Sequence, residues 1–288
     1  MKSAKSSEHK DQGLHVVRHA LGAVKGKYSD LELVGKGSYG CVFRANNEKK
    51  MQVAIKVMEL EDGVPATVLR EVSILKSLEH KNVIKILDVW MTNSHVVIEL
   101  EYMMYDLSKF LKTFECPLCV RKDIVRQIIS GLCHCHQRQV AHRDLKPQNL
   151  LVEPDTGRVC LADFGMAKHQ GVLALIQDKD VEIVTLWYRP PEVINRKAPY
   201  TYNIDMWSLG CILAEMILCR PLYPGQTEQE ILHMIARTHK NKKKGLQAKF
   251  IGRGSSPEEI NLILQLLEEN PADRISALDA QQHPYFNE

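Results

Sequence analysis

The sequence predicts an α+β protein of two lobes, a small β-rich one followed by a larger, mainly helical one. Three observations predict it. Residues 31–100 fall into short alternating runs of β-forming residues, whereas after Met104 the apolar residues recur at helical spacing. The chain has 288 residues, and at roughly 100–200 residues per domain that length suits two compact lobes.

The elements follow in order. Residues 1–27 form an extension with a polar start and then GLHVVRHALGAVKGK. There Leu14, Val17, Leu21 and Val24 fall on one helical face. Five strands are predicted, in LELVGKG, CVFRANN, QVAIKVM, VIKILDVW and HVVIEL. One helix interrupts them, from Pro65 to about Leu78; Pro65 suits a first helical turn, and Val68, Val72 and Leu75 give the helix an inner face. Further helices are expected near 105–113, 119–138, 204–219, 227–237, 257–268 and 275–282. The boundary between lobes falls at 102/103, so the main domain spans 28–288.

Composition narrows the function classes. Hydrophobic residues make up 44% and charged residues 25%, which excludes disorder and fibrous repeats. Lys plus Arg minus Asp plus Glu is 38 − 35 = +3, too small a bias for a dedicated nucleic-acid or membrane surface. The most apolar stretch, Ser208 to Cys219, is short and interrupted by Glu215. The N-terminus has no apolar core of a secretory signal, so a soluble, intracellular protein is expected. Eight cysteines over this length make no disulfide scaffold. Cys116, Cys119, Cys133, His134, Cys135 and His136 resemble a zinc ligand set, but 133–136 falls in an apolar helical stretch, where Cys packs as a small hydrophobe. The basic run Lys240–Lys244, flanked by Arg237 and Lys249, reads as a solvated loop, with a nuclear-import address or docking patch as the alternative.

Chemistry enters with Gly35-Lys36-Gly37-Ser38-Tyr39-Gly40-Cys41-Val42. In a dinucleotide-binding unit such glycines open a helix; here the chain continues as a strand, so the turn joins a hairpin. Glycines there let backbone N–H groups approach phosphate oxygens, and Val42 packs over a flat base. Val53-Ala54-Ile55-Lys56 follows, with Ala54 small enough for an adenine ring and Lys56 in reach of phosphates. Glu71 on the helix supplies the anionic partner that a Lys beside a core needs. Later come His142-Arg143-Asp144-Leu145-Lys146-Pro147-Gln148-Asn149 and, after a short β pair, Asp163-Phe164-Gly165.

With these four motifs in this order, the chain from about Tyr28 to Phe286 resembles the eukaryotic protein kinases. The resemblance implies their bilobal fold, ATP and Mg2+ as cofactors, and a role for each matched residue. Asp144 would be the catalytic base, Lys146 would neutralise the γ-phosphate, and Asn149 and Asp163 would be the magnesium ligands. Lys56, oriented by Glu71, would hold the α/β-phosphates. Val34, the glycine-loop residues 35–42, Ala54 and Leu151 would line the nucleotide. Leu100 aligns with the gatekeeper, Glu101 and Met103 with hinge residues whose backbone pairs the base, and Asp106 with the ribose contact. The pattern Asp144-Leu-Lys-Pro-Gln-Asn149 points to Ser/Thr as acceptor.

The resemblance narrows to the cyclin-dependent kinases. Gly63-Val-Pro-Ala-Thr-Val-Leu-Arg-Glu71 is similar to the cyclin-contacting helix, which implies a cyclin-like partner and, in the free chain, Glu71 swung away from Lys56. Val184-Thr-Leu-Trp-Tyr-Arg189-Pro-Pro-Glu192 is similar to the substrate-site segment. There the Val184 and Arg189 positions favour Pro after the phosphorylated Ser/Thr, and Thr185 bonds Asp144 and Lys146. A role in cell-cycle or transcription control, in nucleus and/or cytoplasm, follows from the same likeness. Mitogen-activated or glycogen-synthase-kinase-like enzymes, which need no cyclin, are the nearest alternative, and a silent scaffold the more distant one. Three departures stand out: Asp180 at the position of the activating phosphothreonine, a short segment between Ile235 and Leu246, and the long N-terminal extension. Of the three basic groups Arg70, Arg143 and Lys168, Asp180 is expected to satisfy one arginine and so tether the activation segment partially and permanently, with a solvated loop acid as the alternative.

Overall fold

The computed structural model describes residues 20–37, 40–60, 66–169, 186–196, 201–239 and 244–287. The chain divides into two compact units: residues 1–79 with 84–103, and residues 80–83 with 104–288.

The first unit is a five-stranded antiparallel sheet in the order β1-β2-β3-β5-β4. Its strands are β1 (Ser29–Gly37), β2 (Gly40–Asn46), β3 (Gln52–Glu59), β4 (Ile86–Met91) and β5 (His95–Glu101). The two-residue period of a strand sends alternate side chains to opposite faces, and both faces are used. Cys41, Phe43, Ala45, Val53, Ile55, Val57 and Val97 form one face, covered by Ala20 and Val24 from helical residues 20–24 (α1) and by Tyr28. The expected apolar stripe of the extension is thus part of a core, at Leu21 and Val24, as far as the described residues reach. The other face carries Met58, Val96 and Ile98, on which Val68 and Val72 of α2 (Ala66–Ser77) pack. Each buried aliphatic side chain stabilises by about 1.5–3 kcal/mol. The hairpin between β1 and β2 depends on Gly40. Its φ is +141°, and a Cβ there would lie 2.0 Å from the Val57 carbonyl oxygen.

The second unit is mainly helical: α3 (Leu107–Thr113), α4 (Leu118–Gln137), α5 (Pro191–Ile194), α6 (Asn203–Leu218), α7 (Glu228–His239), α8 (Lys244–Gln247), α9 (Pro257–Leu266) and α10 (Ala277–Gln281). Helix α6 is apolar nearly all round and almost wholly buried, the pattern of a central core helix. Helix α4 buries Ile124, Val125, Ile128, Ile129, Leu132 and Cys135 on one side. Small sheets frame residues 142–149. Strand β6 (Tyr105–Asp106) pairs with β8 (Leu150–Glu153), which pairs with β9 (Arg158–Leu161). Strand β7 (Val140–Ala141) pairs with β10 (Lys168–His169).

Candidate active site

The chemistry-bearing residues form one group in each unit. In the first, the register fixes a common face. Val42 lies opposite Lys56, Lys56 opposite Ile98, and Ala54 opposite Leu100. Lys56 Nζ donates to both carboxylate oxygens of Glu71, at 2.8 Å each. Glu71 is 3% exposed, so its charge depends on this and its other contacts. Val34 is exposed, Met103 is buried, and Glu101 accepts the Lys85 amide at 2.9 Å. Cys41 lies on β2 beside Val42, but its side chain faces away from Lys56. Its side chain is fully buried among Phe43, Ile55 and Val57 on the opposite face, because one residue along a strand reverses direction. It can serve a nucleotide by its backbone only. Ser38 and Tyr39 lie outside the described residues, and Gly37 is described by its backbone alone.

The second group is built on the loop between β7 and β8. Lys146 Nζ donates to Asp144 Oδ2 at 2.7 Å. Asn149 Nδ2 donates to the same oxygen at 2.9 Å and to the Asp144 carbonyl at 2.8 Å. These bonds aim the Asp144 carboxylate. They also commit the Asn149 amide nitrogen, so the amide oxygen is the atom for a cation. The Ala162 amide donates to the Asn149 carbonyl at 2.9 Å, which brings Asp163 to the same end of the β8–β9 hairpin as Asn149. Asp163 is left-handed, with φ 62° and ψ 70°, and exposed. A non-glycine residue in that region is strained by about 1–3 kcal/mol and must be held by its surroundings. His142 supplies part of that hold, its Nε2–H donating to the Ala162 carbonyl at 2.9 Å and its ring packing on Phe164 at 4.7 Å between ring centres. One carboxylate and one amide oxygen form a hard donor pair, which fits Mg2+ completed by phosphate oxygens and water. Leu151 lies half-buried opposite Asp106. Asp106 caps α3, accepting the Lys109 amide at 2.8 Å, so its carboxylate has a structural duty besides any ribose contact.

The foundation of the loop is Asp205, which motif reasoning missed. Wholly buried in the first turn of α6, it accepts the backbone amides of His142 and Arg143 at 2.9 and 2.8 Å, and pairs with His136 at 2.9 Å. Burial pushes its carboxyl up, but His136, His142 and the Arg143 amide together hold it below its ordinary value. A lone carboxylate in the apolar run NIDMWSLGCILA was the signal that could have revealed it. The buried pair Arg274–Glu192, at 2.7 Å, had no comparable signal for its arginine.

Among the described residues no three His, Cys, Asp or Glu side chains are placed to hold a metal. Cys133 and Cys135 are buried in the core face of α4, and burial pushes the Cys116 thiol up to about 11. Thr185, Val184 and Asp180 lie outside the described residues, as do Gly63–Pro65 and Lys240–Lys243.

A sheet carrying a Lys–Glu pair, and a loop aiming Asp144, Lys146 and Asn149 beside an Asp-Phe-Gly turn, define a phosphotransferase of the protein kinase class. The family model for the protein kinase domain matches residues 28–286, and the chain belongs to that family. It is a protein kinase, with ATP as the phosphoryl donor and proteins as substrates.

Proposed function

We propose that this kinase transfers the ATP γ-phosphate, with Mg2+ at Asn149 and Asp163, to Ser or Thr followed by Pro, under a cyclin-like regulatory subunit. The observation that carries the acceptor class is the Lys146–Asp144 contact at 2.7 Å. A lysine two residues beyond the base can neutralise charge on the transferred phosphoryl group while Asp144 accepts the hydroxyl proton. Support for a partner on α2 comes from Leu69, which is 59% exposed between Val68 and the inward-facing Val72. That single side chain is no patch by itself, but it lies on the helix that the likeness of 63–71 assigns to a partner, which makes it the place to test a contact. The proline preference rests on the likeness of 184–192 to the substrate-site segment. Control of cell division or transcription, and a nuclear or cytoplasmic place, belong to the same reading.

One observation favours a second reading. The resemblance implies a Glu71 that swings away from Lys56 in the inactive state, and the structure holds the pair formed at 2.8 Å. A cyclin-independent proline-directed kinase would show that arrangement. The discriminating experiment measures phosphoryl transfer to matched Ser-Pro and Ser-Ala peptides, with and without a panel of cyclins, for the chain and for Leu69→Glu. The cyclin reading expects faster transfer with one cyclin, a preference for Ser-Pro, and loss of the cyclin increment in Leu69→Glu. Full activity of the chain alone, unchanged by every cyclin, would establish the second reading. Equal rates on both peptides would remove the proline preference from either.

A further inference from the structure

Tyr28 stands where the extension meets β1. It is 7% exposed, and its hydroxyl donates to Glu99 Oε2 at 2.7 Å while accepting from Trp90 Nε1 at 3.3 Å. Glu99 is itself 6% exposed, on the α1-covered face of β5. Its other oxygen accepts Asn47 Nδ2 at 3.0 Å, and Asn47 Oδ1 takes the amides of Lys49 and Met51, which closes the β2–β3 turn. Lys27 adds an outer layer, 3.2 Å from Asp88 and 4.9 Å above the Trp90 ring. One buried phenol thereby joins the chain ahead of β1 to β4, to β5 and, through Glu99, to the β2–β3 turn. A buried carboxylate that loses a donor is costly, so this node resists opening.

We propose that Tyr28 is a positioning residue for nucleotide binding, acting through Glu99 on the strand that leads to Glu101 and Met103. The proposal rests on the nucleotide reading above and deepens it. The strand that Tyr28 grips is the one whose Leu100 pairs with Ala54 and whose Ile98 pairs with Lys56. A shift of β5 therefore moves the base-pairing backbone and the β3 ladder that carries Lys56 together. The apolar cover of Ala20 and Val24 keeps water from Glu99's face, which strengthens its bond to the phenol. The extension, on this account, is a working part of the nucleotide half-site.

The test uses the full chain, unaltered, as Tyr28→Phe and as Glu99→Gln. Phenylalanine keeps the ring in its pocket and removes only the hydroxyl. Amide hydrogen exchange is followed without nucleotide, and KM for ATP and kcat are measured separately. Loss of one hydrogen bond to a charged group predicts about tenfold faster exchange over 97–101 in Tyr28→Phe, with residues 150–161 unchanged. KM for ATP should rise about threefold to tenfold with kcat within about twofold of the unaltered chain. Glu99→Gln, which still accepts from the phenol, should lie between. Unchanged exchange over 97–101, or faster exchange with KM unaltered, would overturn the proposal. Failure of the unaltered chain to bind MgADP would overturn the nucleotide reading instead, and the exchange data keep the two failures apart.

Discussion

On the proposed reading Lys56 and Asp163 serve the same reaction from opposite environments, and that difference is measurable. Lys56 neutralises a carboxylate that is 3% exposed, whereas Asp163 is exposed at the end of a hairpin. Both Lys56→Met and Asp163→Asn should abolish transfer, since each removes a contact to phosphate or cation. Their stabilities should part. Lys56→Met leaves Glu71 buried without its main cation and should cost about 3 kcal/mol in urea unfolding, while Asp163→Asn should stay within about 0.5 kcal/mol. Adding Glu71→Leu to Lys56→Met should restore stability without restoring transfer. Equal stability of the two single variants would contradict the buried-pair account. At this scale the sequence was legible in which side chains the fold brings together, as Lys56 with Glu71 and Asp144 with Lys146 and Asn149. Membership of the glycine-loop motif does not say which atoms of Cys41 are available, because alternation along β2 sends its side chain inward. Asp205 was overlooked because two of its partners are the backbone amides of His142 and Arg143, so the sequence shows a lone carboxylate in an apolar run without showing what it holds.

Among the elements, the connection between α2 and β4 has a chemistry of its own. His80 stacks on His134 of α4 at 4.7 Å between ring centres. The Asn82 amide donates to His80 Nδ1 at 3.1 Å, and Ser130 Oγ lies 3.4 Å from His80 Nε2. Arg138 donates to His134 Nδ1 at 3.1 Å, and His134 Nε2 is buried without a partner. Burial lowers the pKa of both rings, aided at His80 by Lys81 and Arg138 and at His134 by Arg138 and His80. A lowered folded-state pKa means that folding favours the neutral form. The contribution is whole above the unfolded pKa of about 6.5 and is lost as pH falls through the folded value. The melting temperature should therefore be level above about pH 7 and decline below about 6.5. His134→Leu, which removes the unpartnered nitrogen, should show a shallower decline; His283, also lowered, contributes equally to both chains and cancels in the comparison. Parallel curves for the two proteins would refute the pairing argument. The long elements were legible because their apolar periodicity runs through several turns or strand pairs. Strands β6, β7 and β10 have two residues each, too few for any period to show.

For the whole molecule, the order of motifs outweighed each motif. A glycine turn, a Lys on β3, a Glu on α2, a loop around Asp144 and an Asp-Phe-Gly turn recur together in one family, and the match over 28–286 bears this out. Partner and substrate preference were legible only as likeness, since they depend on surfaces and on segments such as 184–185 rather than on the core. The central claim is that Asp144 drives phosphoryl transfer to a protein hydroxyl from a loop held by Asp205. It is tested most directly by following γ-phosphate transfer from radiolabelled ATP to a Ser-Pro peptide, comparing the unaltered chain with Asp144→Asn under identical partner conditions. The substitution preserves size and the capacity to accept from Lys146 and Asn149, so the melting temperature should hold. The account predicts transfer by the unaltered chain and a loss of about a hundredfold or more in Asp144→Asn. Transfer at an undiminished rate by a folded Asp144→Asn chain would contradict it.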